Sequence, residues 1–140
     1  MSKLEFPNLN SYNYRETSSA DSRYNCIAWA YGDNRMWFWP MKGRYWPANI
    51  IREATVEAFM ALFASIGYQR CSHCLFEPGH EKVAIYALDG IPTHVARQLK
   101  NGKWTSKLGA NIDIEHDTLE CLNSPLYGEA TIFMKREAGL

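Results

Sequence analysis

Two residues far apart in the chain have the types and settings expected of a nucleophile and its base. Cys26 follows a potential helix cap, Asn25, and begins a short apolar stretch that ends near Gly32. A cysteine in the first turn of a helix lies near unsatisfied backbone N–H groups and the positive end of the helix dipole, and both favour the thiolate. His94 stands at the start of a predicted strand that runs to Leu99. A thiolate with an imidazole to accept its proton predicts nucleophilic catalysis.

Hydrophobic periodicity predicts the elements that must position this pair. Apolar residues recur at helical spacing from about Thr55 to Ile66, with a capping residue before them and a glycine after them. Residues 82–88 have the composition of a strand, and Asn101-Gly102 marks a hairpin before a strand over residues 104–107. Residues 127–134 indicate one more strand. This order predicts an α+β fold, in which N-terminal helices pack on an antiparallel sheet.

Length and composition restrict the class of protein. The 140 residues are enough for a single domain with one core, in which residues 1–23 form a polar, turn-rich lead-in. Fifteen basic and fifteen acidic residues give no net charge, which does not favour binding to nucleic acid. No apolar run approaches the roughly 20 residues that a membrane helix needs, so no membrane partner is expected.

The remaining expectations concern compartment and chemistry. The N-terminal residues lack the features of a signal peptide, which predicts a cytoplasmic protein or one exported without a signal peptide. The four cysteines are expected to be free thiols. We expect no cofactor and no bound metal, and a peptide or another amide-bearing substrate as the partner. The oligomeric state is not predicted.

In the order of these elements the chain resembles the papain-like cysteine hydrolases, and most closely the compact NlpC-type cell-wall peptidases and amidases. The likeness covers about residues 24–107. Residues Asn25–Ala30 are similar to the nucleophile helix of that family, and Thr93–Ala96 with Asn101–Trp104 are similar to its histidine strand and the following hairpin. The similarity is one of pattern and order, without a long identical motif.

The resemblance implies a papain-like domain over residues 1–140 that hydrolyses an amide. In such enzymes the thiolate attacks an acyl carbon, a histidine handles the proton, and a third polar group orients the imidazole. Cys26 and His94 carry over directly. Ser106 is the residue reached on the strand beyond the hairpin, and His116 is the other candidate for the orienting group. The substrate would be a peptide bond, a glutamine side chain or a cell-wall crosslink.

Four further residues are candidates for substrate binding. Trp37, Trp39 and Trp46 lie in an irregular stretch containing prolines, where they either fill the core or form the wall of a groove. Lys107 follows Ser106 directly, and it either meets a substrate carboxylate or oxyanion or is an ordinary surface lysine.

Alternatives to catalysis remain open. Free cysteine is among the residue types most often buried, so Cys26 could be a small core residue, and a strand-end histidine is often satisfied by a backbone carbonyl. Serine is also a weaker orienting group than histidine, asparagine or a carboxylate, which suits an inactive binding or immunity-type module on the same fold. A third possibility is a zinc-stabilised domain, since Cys71 and Cys74 have C-x2-C spacing around His73, with His80 nearby.

Overall fold

Seven β-strands form one antiparallel sheet in the computed structural model, which describes residues 5–138. In chain order the strands are β1 (Tyr14–Ser18), β2 (Gln69–Cys71), β3 (His80–Leu88), β4 (Ile91–Gln98), β5 (Trp104–Lys107), β6 (Asp113–His116) and β7 (Glu129–Glu137). Helices α1 (Cys26–Tyr31) and α2 (Val56–Ala64) lie between β1 and β2 in the chain, and a 3-10 turn, Leu119–Leu122, follows β6. The order across the sheet is β1-β6-β5-β4-β3-β7-β2.

The predicted α+β class is wrong, because the molecule is mainly β. The two helices have only six and nine residues, whereas the sheet gains three strands, β1, β2 and β6, that the sequence did not indicate. Part of the predicted lead-in is the edge strand β1, which pairs with β6 and carries a bulge between Glu16 and Ser18. Residues 1–4 of that lead-in lie outside the described residues.

Both predicted helices are confirmed, and their ends have the expected caps. The side chain of Asn25 accepts a hydrogen bond from the backbone N–H of Ala28, and Gly32 ends α1 in the left-handed region at φ 106°. Thr55 caps α2 in the same way, through the N–H of Ala58. The strands predicted near residues 82–88, 93–99, 104–107 and 127–134 are confirmed as β3, β4, β5 and β7, with shifted ends.

The sheet is covered on both faces. On one face α1 and α2 pack against alternate residues of the central strands, among them Val83, Ile85 and Val95. On the other face the intervening residues pack against the N-terminal segment, the 3-10 turn and Tyr127. Two separate apolar clusters therefore hold the sheet between them.

The sheet is incomplete between β4 and β5. Only the pairs Arg97↔Thr105 and Gln98↔Trp104 join these strands, so within residues 5–138 the first half of β4 has no neighbouring strand on that side. Helix α1 contacts both β4 and β5. The N-terminus of α1 is thereby positioned by strands that diverge from one another.

Of the helices in residues 5–138, none combines the length and the apolar character that crossing a membrane requires.

Candidate functional site

A line of hydrogen bonds crosses three neighbouring strands of the sheet. His94 on β4 contacts Ser106 on β5 through its Nε2 atom, 2.9 Å from the serine Oγ. The same Oγ lies 2.8 Å from Nε2 of His116 on β6. Nδ1 of His116 lies 2.9 Å from the backbone carbonyl of Thr118. The two residues predicted as alternative orienting groups, Ser106 and His116, thus act in series on one histidine.

The carbonyl at the end of this line fixes every proton along it. A carbonyl only accepts, so Nδ1 of His116 carries a hydrogen, and in the neutral ring Nε2 then accepts. The Ser106 hydroxyl consequently donates to His116 and accepts from Nε2–H of His94. The neutral His94 ring is left with a lone pair at Nδ1. Within residues 5–138 this buried atom has no hydrogen-bond partner.

His94 is held rigidly by aromatic neighbours. Its ring stacks on Tyr127, with centroids 4.3 Å apart and planes 10° apart, and meets the edge of Tyr86 at 5.2 Å. The backbone carbonyl of Tyr127 accepts a hydrogen bond from the Thr93 hydroxyl at 2.5 Å. Burial, and to a lesser degree the charge of His116, hold the pKa of His94 well below its usual range. The imidazole is therefore neutral at physiological pH.

Cys26 is the first residue of α1, as predicted, and its side chain is buried, with 7% of the residue exposed. Burial raises the pKa of the Cys26 thiol to about 11, although hydrogen bonding from the backbone N–H groups of Val95 and Ile27 acts in the opposite direction. The thiol thus faces the unpaired half of β4, next to the backbone of His94.

Cys26 and His94 approach this position from different faces of the sheet. Cys26 belongs to the apolar cluster beneath α1 and α2, whereas the neighbours of His94, Tyr86 and Tyr127, belong to the cluster on the opposite face. Among the described residues, no hydrogen bond links the thiol to Nδ1 of His94. The structure brings the two residues to the same gap in the sheet, and their pairing stays a prediction.

Lys107 is not a surface lysine. It is fully buried, and its Nζ donates to the backbone carbonyls of Asp21 at 2.5 Å and Gly109 at 2.6 Å. The ammonium also lies 4.6 Å from the centre of the Tyr24 ring. Burial lowers the pKa of Lys107, while its positive charge favours the thiolate of Cys26. Lys107 therefore contacts groups inside the protein, and its ammonium is not on a surface open to substrate.

The three candidate tryptophans have separate environments. Trp46 is buried, donates its indole N–H to the Ile51 carbonyl at 3.0 Å and packs on Phe59 of α2. Trp39 is half-buried and meets the same phenylalanine edge-on at 6.0 Å. Trp37 is half-buried as well and lies beneath the Arg44 guanidinium. Two possibilities were predicted for this stretch, filling the core or forming the wall of a groove, and Trp46 belongs to the core.

The segment with C-x2-C spacing is organised around a buried lysine. Lys82 is fully buried, and its Nζ lies 2.6 Å from Oε2 of Glu77 and 3.2 Å from the carbonyl of His73. The Cys71 thiol lies 3.4 Å from that same carbonyl. In the part of the chain that the structure describes, no three Cys, His, Asp or Glu side chains converge as metal ligands would.

Sequence reasoning missed two parts of the site. Tyr127, which stacks on His94, lies 33 residues further along the chain, and no local pattern connects the two. The Thr118 carbonyl that fixes the protons is a backbone group and leaves no signal in residue types. The useful signal was the histidine at the end of Asp113–His116, since a buried imidazole requires polar partners.

Comparison with known proteins identifies a family whose function is unknown. A family model described as "Domain of unknown function (DUF7689)" matches residues 15–135. No curated protein and no solved structure matches the chain. The matched range runs from β1 into β7, and it includes Cys26, His94, Ser106 and His116.

Proposed function

We propose that this chain, which belongs to the DUF7689 family of domains of unknown function, hydrolyses amide bonds. The thiol of Cys26 is the nucleophile, and His94 is its base. The single observation that supports it is the unused lone pair on Nδ1 of His94, a buried atom on β4, the strand whose Val95 backbone N–H lies at the Cys26 thiol. A buried acceptor without a partner is costly, so such an atom points to a function.

The reaction begins with transfer of the Cys26 proton to Nδ1 of His94 as the sulfur attacks the acyl carbon. His94 then gives this proton to the leaving amine, which leaves an acyl group on the sulfur. Water, deprotonated by the same histidine, releases the acid and restores the thiol. Nε2–H of His94 stays bonded to Ser106 throughout, so the imidazolium forms without a change of partner.

Protonation states favour a neutral pair at rest. The thiol pKa of about 11 and the lowered pKa of His94 both keep charge out of the site until substrate is bound. Proton transfer then accompanies attack, in contrast to enzymes that hold a preformed thiolate and imidazolium. Substrate must also open the cover over Cys26, since little of this residue is exposed.

The same burial supports a second candidate, a binding module in which these residues are structural. Cys26 is 7% exposed and His94 is fully buried, values usual for core residues. In this alternative the line from His94 to Thr118 only satisfies polar groups between strands. The two candidates differ in whether the reactivity of Cys26 depends on His94.

Selective alkylation tests the proposal, with Cys121 as a matched control. Cys121 is 4% exposed, close to the value for Cys26, but its thiol lies by the Thr118 hydroxyl at 3.4 Å. In a protein carrying Cys71→Ser and Cys74→Ser, chloroacetamide at pH 7.5 should label Cys26 about 10-fold faster than Cys121, because His94 removes the Cys26 proton. His94→Gln should reduce the Cys26 rate to that of Cys121. Peptide mass spectrometry measures both rates.

Equal rates for the two buried cysteines, unchanged by His94→Gln, would reject the enzyme and leave the binding module. Turnover is the second measurement: peptidoglycan fragments and glutamine-bearing proteins are incubated with the protein and examined for amide cleavage or a deamidation mass shift. Cys26→Ala should abolish turnover, and Ser106→Ala and His116→Ala should reduce it about 10- to 100-fold, since they only orient the base.

A further inference from the structure

A second opening in the sheet lies at the end of β3 and β4. Their ladder begins at Val83↔Arg97, although β3 itself begins at His80, so residues 80–82 pair with β7 and not with β4. The diverging strand ends enclose a cavity of about 850 Å³ together with the loop that carries Phe76. This volume is within the range of small-molecule sites.

Two residues that line this cavity, Arg97 and His80, each have a buried side-chain nitrogen without a partner. These nitrogens are Nε of Arg97 and Nδ1 of His80, and neither makes a hydrogen bond within residues 5–138. The Arg97 guanidinium is fixed over the Trp29 ring, 5.5 Å from its centre. It is thus held in place by a stacking contact while part of its hydrogen-bonding capacity is unused.

The charge of the cavity is positive. Arg97 and the exposed Lys100 contribute two cations to the lining. Among the described residues of this lining Glu81 is the one acidic residue, and its carboxylate accepts a hydrogen bond from Nε of Arg136 at 3.1 Å. Apolar walls are supplied by Phe76, which is 44% exposed, and by Leu99.

We infer that this cavity binds a small organic carboxylate that carries an apolar group. The carboxylate would accept hydrogen bonds from the Arg97 guanidinium and neutralise its charge and that of Lys100, because a planar carboxylate matches a guanidinium in two-point contact. The apolar group would cover Phe76 and Leu99. The site involves none of the residues assigned to the amide hydrolysis above, so either conclusion stands without the other.

Such a carboxylate occurs in a free acid and at the C-terminus of a peptide. A peptide would gain from the unpaired edges of β3 and β4, since an extended backbone hydrogen-bonds to an exposed strand. A free acid would not use those edges. The two sources are distinguished by comparing ligands that share one end group and differ in length.

Isothermal titration with three probes tests the inference: N-acetylphenylalanine, its amide, and an acetylated tetrapeptide that ends in phenylalanine with a free carboxylate. The acid should bind saturably and at least about 10-fold more tightly than the amide, which has the same apolar group and no charge. A tetrapeptide that binds more tightly than the acid identifies a peptide C-terminus as the occupant. Equal affinities of these two acids identify a small free acid.

A matched pair of variants locates the binding. Arg44 stacks on Trp37 at 5.1 Å much as Arg97 stacks on Trp29, but it is not part of this cavity. Arg97→Gln should weaken binding of the acid about 10-fold or more, and Arg44→Gln should leave it unchanged. Lys100→Gln alters an exposed side chain, so the fold should tolerate it, and it should weaken binding about 2- to 5-fold.

Three results would overturn the inference. They are no saturable binding of the acid up to about 10 mM, equal affinity of acid and amide, and an Arg97→Gln protein that folds and binds as the wild type does. Circular dichroism and a thermal midpoint establish that each variant is folded. If Arg97→Gln fails to fold, Lys100→Gln decides alone, and an unchanged affinity in that variant counts against the site.

Discussion

A single backbone carbonyl determines which ring nitrogens of His94 and His116 carry a hydrogen. The carbonyl of Thr118 sets the tautomer of His116, and through Ser106 it also sets that of His94. Reversing the direction of this line would move the hydrogen of neutral His116 to Nε2, so that the lone pair of Nδ1 would face the lone pairs of the Thr118 carbonyl and their hydrogen bond would be lost. The free lone pair at Nδ1 of His94 is therefore a consequence of the fold around β6, not of the His94 side chain alone.

The buried histidines should make the protein less stable in mild acid. Burial lowers the pKa of His116 from 6.5 to about 4, so between these values the unfolded chain binds a proton that the folded chain does not. Stability is consequently complete above about pH 6.5 and falls as the pH decreases toward 4. The expected loss between pH 7 and pH 4 is roughly 2 to 3 kcal/mol for this group. Urea unfolding at a series of pH values measures it.

His116→Gln should reduce this dependence between pH 6.5 and pH 4, and His94, whose pKa burial also lowers, should account for the slope that remains. His73 provides the control, because it is exposed and lies outside the line from His94 to Thr118. His73→Gln should keep the wild-type slope. An equal slope in the wild type and in His116→Gln would show that the buried imidazole does not cause the acid sensitivity.

At the scale of elements, α1 depends on one side chain more than its six residues suggest. Asn25 accepts hydrogen bonds from the N–H groups of Ala28 and Phe38, at 3.2 and 3.1 Å, and donates to the Phe38 carbonyl at 2.7 Å. It thus joins the start of the helix to the following loop. A helix this short has little stability of its own and is held by its caps and its packing.

Asn25→Ala should therefore cost more than the loss of a simple cap. It removes three hydrogen bonds and leaves buried backbone groups of Phe38 unsatisfied, for an expected loss of about 3 kcal/mol in unfolding free energy. Thr55→Ala is the matched control, since Thr55 caps α2 through the single bond to Ala58 and should cost about 1 kcal/mol. Chemical denaturation measures both. Equal losses would show that the link to Phe38 contributes nothing.

Elements with clear periodicity were predictable, and those with charged residues were not. β6 reads Asp113-Ile114-Glu115-His116, a composition typical of a loop, yet all four residues are buried. Each charge has a distant partner: Glu115 lies 2.6 Å from Arg15, and Asp113 accepts from the Tyr24 hydroxyl at 2.7 Å. β1 is polar and β2 has three residues, so neither produces a strand pattern. These strands form through pairing with distant parts of the chain, and the local sequence does not indicate that pairing.

The site was predictable to the same extent. A cysteine after a helix cap and a histidine at a strand start are local signals. The structure has Cys26 as the first residue of α1, but His94 is the fourth residue of β4, because that strand begins at Ile91. The choice between Ser106 and His116 stayed open because it depended on the neighbour of β5, and that neighbour is the unpredicted strand β6. The burial of Lys107 depended in the same way on the path of the residues around Asp21.

At the scale of the whole molecule, charge is placed inside the sheet as well as outside it. Lys82 and Lys107 are fully buried, and Asp113 and Glu115 are nearly so. Burying such charged groups is very costly unless each has a partner. The partners come from the N-terminal segment, the loop before β3 and the edge strand β1, so these peripheral segments hold the central strands by polar contacts.

Hydrogen exchange should reveal a gradient of stability from the centre of the sheet to its edges. β3 pairs with β4 on one side and with β7 on the other along most of its length, whereas β2 pairs with one strand through three residues. Opening the centre therefore requires that both apolar clusters separate, while an edge strand frays alone. Exchange in peptides from β3 should be at least about 100-fold slower than in peptides from β2, measured by mass spectrometry at neutral pH.

The gap beside β4 leads to a second expectation. Amides in the first half of β4 that face the gap should exchange faster than those of β3, because that side has no neighbouring strand among the described residues. Uniform protection across the sheet would mean that the molecule opens only as a whole, and the gap at Cys26 would then lack the local freedom that entry of a substrate requires.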